Sequence, residues 1–114
     1  MSTRHLQSLL TASNAHVQVN AVHPGIVDTD LFEHSATTSV PIFKKLFFKT
    51  PEQGSRTVTF AAIDPSVEGQ GGVYYSNCVK AAIHPAANDV TKCATLFQYT
   101  CDLLKIEEYG NGKI

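Results

Sequence analysis

The run from His16 to Leu31, His-Val-Gln-Val-Asn-Ala-Val-His-Pro-Gly-Ile-Val-Asp-Thr-Asp-Leu, constrains the fold of this chain more than any other stretch. Val17, Val19 and Ala21 alternate with Gln18, Asn20 and Val22, the period of a strand, so a strand is expected over 16–22. It runs into His23-Pro24-Gly25. Pro24 fixes its own φ and has no N–H for a ladder, while Gly25 accepts backbone angles and close approaches that a Cβ forbids. The backbone beyond the strand can therefore lie against a ligand, at the carboxyl end where open α/β sheets bind them.

Around this turn the other elements follow from local signals. Leu6, Leu9 and Leu10 sit at helical spacing and predict an amphipathic helix over 2–11. That helix has no capping approach, which reads as a segment cut from a longer helix. Thr50-Pro51-Glu52-Gln53 combines an N-cap, a proline at the first helical position and a capping-box glutamine. The helix it opens stops at Asp64-Pro65. Glu68-Gly-Gln-Gly-Gly72 is a turn and 73–77 a second strand. Its glycines precede a strand, whereas a phosphate-binding loop follows one and opens a helix.

Residues 79–88 read as loop, and Asp89 or Thr91 caps a last helix with its packed stripe at Val90, Ala94, Phe97, Cys101 and Leu104. Gly110-Asn-Gly112 ends that helix in a disordered tail over 110–114. The middle segment is rich in phenylalanine but poorly periodic.

Composition narrows the function classes. The 114 residues carry 43% apolar and 17% charged side chains and a net charge of −1, which suits one small globular domain. No basic face argues for nucleic acid; Lys44, Lys45 and Lys49 read as solvated flanks of an apolar loop. Cys78, Cys93 and Cys101 have no Cys-x-x-Cys spacing, so they read as reduced thiols, with Cys93 and Cys101 as small packing residues. His16, His23, His34 and His84 form no His-x₃-His pair with which to hold a metal, so no metal site is expected. Ser55, Ser66 and Ser76 lie in no nucleophile elbow. The reduced cysteines read as a cytoplasmic setting; there is no membrane-length apolar run and no signal peptide, and an anchor in a missing N-terminal part is left open.

The segment Asn20-Ala-Val-His-Pro-Gly-Ile-Val-Asp-Thr29 resembles the Pro-Gly-x-Val-x-Thr segment that follows the sixth strand of the short-chain dehydrogenase/reductase family. Glu68-Gly-Gln-Gly-Gly-Val-Tyr-Tyr-Ser-Asn-Cys78 is similar to the seventh-strand region of the group around retinol dehydrogenases and the WW-domain oxidoreductase. The resemblance implies an α/β fold: the C-terminal part of a doubly wound, Rossmann-type parallel sheet. Residues 1–109 would supply its last two strands, the crossover helix between them and flanking helices. The crossover should be right-handed.

The same resemblance implies an NAD- or NADP-dependent oxidoreductase acting on an alcohol or carbonyl of an apolar substrate. It assigns Pro24 and Gly25 to the shape of the cofactor turn, Val27 to backbone contacts with the nicotinamide carboxamide and Thr29 to a hydroxyl contact. Leu31, Phe32, Phe43 and Phe47 belong to the substrate lid, or else pack on the core. The family's chemistry needs a tyrosine with a lysine four residues on, one helical turn away. Tyr74, Tyr75 and Tyr99 are followed at that distance by Cys78, Val79 and Leu103. Tyr109 reaches Lys113 only across two glycines, which are poor helix formers. The glycine-rich first βα turn is also missing, so no catalytic residue is assigned and the chain alone is expected to be inactive. The alternative is a non-catalytic fragment or truncated isoform that self-associates or docks on a partner through an uncovered sheet face.

Overall fold

The computed structural model describes residues 1–28, 48–106, 108–109 and 112–113. In chain order the elements are α1 (Ser2–Ala12), β1 (Ala21–His23), α2 (Pro51–Ile63), β2 (Tyr74–Ser76), β3 (Val79–Lys80), α3 (Val90–Leu104), β4 (Glu108–Tyr109) and β5 (Gly112–Lys113). Short 3₁₀ turns occupy Pro65–Val67 and Pro85–Asn88. The fold is mixed α/β, with one sheet in the order β1-β2-β3 and a small antiparallel β4-β5 pair. No helix among the described residues is long and apolar enough to cross a membrane.

The contacts divide the chain into two units. In the first, residues 1–21, 69–73 and 82–114, α1 packs along α3, with the His5 ring tilted against Phe97 at 5.0 Å between centroids. The buried face of α3 is Cys93, Phe97 and Cys101. Val90 and Leu104, expected on that stripe, are 74% and 61% exposed instead. The seam is set by the 4,4 spacing of the three buried residues, and the terminal turns of this 15-residue helix extend past it. Asp89 is the N-cap, accepting from the Lys92 N–H. The helix stops at Lys105 in the left-handed conformation, before Gly110 is reached, and β4 follows, paired with β5 inside the 110–114 stretch expected to be tail. His84 caps the second 3₁₀ turn, its Nδ1 accepting from the Ala86 N–H.

Two side chains tie this unit's extended segments together. Gln7 Oε1 accepts from the Val19 N–H at 2.7 Å and Gln7 Nε2 donates to the Val17 carbonyl. Asn20 Oδ1 accepts from the Val73 N–H at 2.9 Å, and its amide donates to the Gln70 carbonyl. The Gly72 N–H bonds Val19 O and the Ala21 N–H bonds Val73 O, so pairing advances along both segments together, as in parallel strands. Because Asn20 takes an N–H that a ladder would use, regular strand is confined to Ala21–His23 rather than spanning 16–22. Val17 is accordingly half exposed. Gly71 lies so close to Gln7 that a Cβ there would overlap its carboxamide.

The second unit comprises residues 22–68 and 74–81. The capping box of α2 forms as expected: the Gln53 N–H donates to Thr50 Oγ1 and the Thr50 N–H to Gln53 Oε1. Asp64 ends the helix and accepts from both the hydroxyl and the N–H of Ser66, which holds its carboxyl below the ordinary aspartate range. Thr57, 1% exposed, and Tyr75, edge-on to Phe60 at 5.6 Å, fill the space between α2 and β2. β2 turns directly into β3, pairing Ser76 with Val79. Asn77 and Cys78 both have positive φ, as a two-residue hairpin of the primed type demands. A strand thus occupies Val79–Lys80, where loop was expected.

Asn20→Ala is expected to cost about 1–3 kcal/mol, because it leaves the part-buried Val73 N–H without its acceptor. Urea unfolding checks this; a change within about 0.5 kcal/mol would show that Asn20 is an ordinary surface residue.

Candidate functional site

Within the second unit, Pro24, Gly25 and Val27 lie on one turn at the carboxyl end of β1, all half-buried. Gly25 has φ +92°, where a side chain is strained. Val27 then pairs with Lys49 in an isolated parallel bridge: Lys49 N–H donates to Ile26 O at 2.8 Å and Asp28 N–H to Lys49 O at 2.9 Å. Peptide groups alternate in direction along extended backbone. With Ile26 O and Asp28 N turned toward Lys49, the N–H and C=O of Val27 itself point to the opposite side.

Three contacts hold this arrangement. The Val27 side chain rests on Gly54 in α2, where an added Cβ would lie 2.5 Å from Val27 Cγ2. The Lys49 stem covers Gly25, whose missing Cβ would lie 2.9 Å from Lys49 Cε. The Lys49 ammonium donates to Asn77 Oδ1 in the β2-β3 hairpin turn. The sequence reading of Lys49 as a solvated flank is therefore corrected, since the side chain packs on the turn. Asn77 was not singled out from sequence either; its one signal is an asparagine directly after a strand.

Of the remaining expected site residues, Thr29, Leu31, Phe32, Phe43 and Phe47 lie outside the described residues. Among the described residues, no group of three metal-ligating side chains comes together. All three cysteines are free thiols, Cys93 and Cys101 buried as expected of packing residues. Tyr74 and Tyr75 lie in a strand, and the helical Tyr99 has Leu103 one turn on.

A mixed α/β segment with a Pro-Gly turn at the carboxyl end of a strand is consistent with the family that the sequence resembles. Comparison with known proteins agrees. Polyprenol dehydrogenase from Homo sapiens is 42% identical over 78 residues, covering 66% of this chain and 24% of that protein. Polyprenol dehydrogenase from Danio rerio is 35% identical over 106 residues, covering 90% and 33%. Retinol dehydrogenase 14 from Homo sapiens is 39% identical over 92 residues, covering 76% and 27%. The chain belongs to the short-chain dehydrogenase/reductase family and spans a quarter to a third of the length of these relatives. No family model matches it, and no solved structure matches.

The contact of Val27 with Gly54 makes a sign prediction. Alanine is a better helix former than glycine by about 1 kcal/mol, but overpacking against a stiff β-branched side chain costs about 1–3 kcal/mol. Gly54→Ala should therefore lower stability, and adding Val27→Ala should recover part of the loss. Chemical denaturation of the two single variants and the double reads the coupling; additive effects would mean that the two residues do not meet.

Proposed function

We propose that the chain is the C-terminal part of an NAD(P)-dependent oxidoreductase that interconverts an alcohol and a carbonyl on an apolar substrate. The observation that carries this reading is the Val27 peptide pair, held by the Lys49 bridge and facing away from it at the end of β1. A primary carboxamide offers one acceptor and two donors, so the N–H and C=O of one extended residue match it as a pair. The residues present thus fit one wall of a nicotinamide site.

When bound, NAD(P) supplies the hydride chemistry. This chain's part is to hold and orient. Val27 would hold the carboxamide through its own N–H and C=O, Gly25 keeps the turn free of a Cβ, and Thr29 would add a hydroxyl. Leu31, Phe32, Phe43 and Phe47 are assigned to an apolar cover that excludes water from the reacting carbon. The names of the relatives, polyprenol and retinol dehydrogenases, support an apolar alcohol as substrate. The proton-transferring tyrosine and lysine, and the pyrophosphate turn, belong in this reading to another part of the protein. The 114 residues by themselves should show no turnover.

The test is a graft in which this chain replaces the segment of human retinol dehydrogenase 14 that it matches. The graft is expected to oxidise retinol with NAD(P) while the isolated chain does not. A folded graft without cofactor binding, or reduction of NAD(P) by the isolated chain, would overturn the reading.

A further inference from the structure

We infer that Lys49 and Asn77 form a clasp that positions the cofactor turn from behind. Lys49 acts as a positioning residue and touches no reacting atom. The inference rests on the reading above for its functional meaning, while its structural content stands on contacts already described.

Lys49 is joined to the turn in three separate ways. Its backbone exchanges two hydrogen bonds with Ile26 and Asp28, its methylenes lie over Gly25, and its ammonium reaches Asn77. Each has a different partner, and together they leave the peptide plane of Val27 little freedom. The stem lies over Gly25, where an added Cβ would come 2.9 Å from Lys49 Cε. Asn77 is fixed in turn by the hairpin, where it sits at φ +53° beside Cys78 at φ +59°. Asparagine tolerates that conformation better than most residues and brings a carbonyl oxygen to the ammonium. Half-burial of the Lys49 side chain fits a stem used for packing with a polar tip held in place.

A clasp behind the wall predicts a specific pattern. Lys49→Met keeps the stem and loses the ammonium, and Asn77→Ala loses the acceptor. In the 114-residue chain each should shift the amide resonances of Gly25, Ile26 and Val27 and speed hydrogen exchange at the Asp28 N–H by about tenfold, as expected for a lost charge-assisted hydrogen bond. The double variant should go no further than either single one. Lys49→Arg, which retains a donor, should restore most of the protection. Unmoved turn resonances, or fully additive effects of the two substitutions, would overturn the clasp.

The retinol dehydrogenase graft adds a kinetic readout. Lys49→Met there should raise the KM for cofactor by about five- to tenfold with kcat within twofold, because the wall is displaced rather than the reacting groups. An unchanged KM in an active graft would also overturn the inference. If the unsubstituted graft folds but binds no cofactor, the functional proposal fails, and the exchange experiment still decides whether the clasp exists.

Discussion

The site depends on one short parallel bridge. Two hydrogen bonds join Lys49 to Ile26 and Asp28, and from them follows the direction in which Val27 presents its own peptide groups. A single bridge in a surface segment is weak, since each bond contributes only about 0.5–1.5 kcal/mol net. It persists because packing on both sides limits the alternatives: the Val27 methyls on Gly54 and the Lys49 stem on Gly25. Two glycines thus do opposite jobs. Gly25 supplies a backbone angle and an open surface, whereas Gly54 lets the helix backbone approach.

That arrangement suits a component that orients rather than reacts. The described residues contain no helical tyrosine with a lysine one turn away, and polar groups such as Thr57 beside the Cys78 thiol and Asn20 at the Val73 N–H serve structure. The chain spans a quarter to a third of the length of these relatives, and the proposed function gives it only part of the work of a short-chain dehydrogenase/reductase. A nicotinamide wall without its reacting groups is a coherent reading of such a segment. Several apolar side chains also face water: Val17, Ile63 and Val79 are all more than half exposed.

Legibility in the sequence followed the range of the interaction. The α2 capping box and the Asp64-Pro65 stop were readable because all partners lie within three residues. The Pro24-Gly25 turn was readable for the same reason. Strand 16–22 was over-read, since alternation reports which face a side chain takes but not whether Asn20 will divert a ladder bond to its carboxamide. The hairpin at Asn77-Cys78 escaped notice because cysteine has no turn preference. Lys49 was misread because its meaning comes from Gly25 and Asn77, far away in the chain. The α3 stripe was displaced toward Val90 and Leu104 because several registers of an apolar helix satisfy the same period.

The most direct measurement on the central claim is thermal unfolding of the purified chain with and without millimolar NAD(P)H. A ligand that binds only the folded state raises the midpoint, by the equivalent of about 2.7 kcal/mol at a hundred times its Kd. With one wall of the site and no pyrophosphate turn, the midpoint should stay where it is. A clear upward shift would contradict the account, because it would mean that the turn from Pro24 to Val27 and its surroundings form a complete cofactor site.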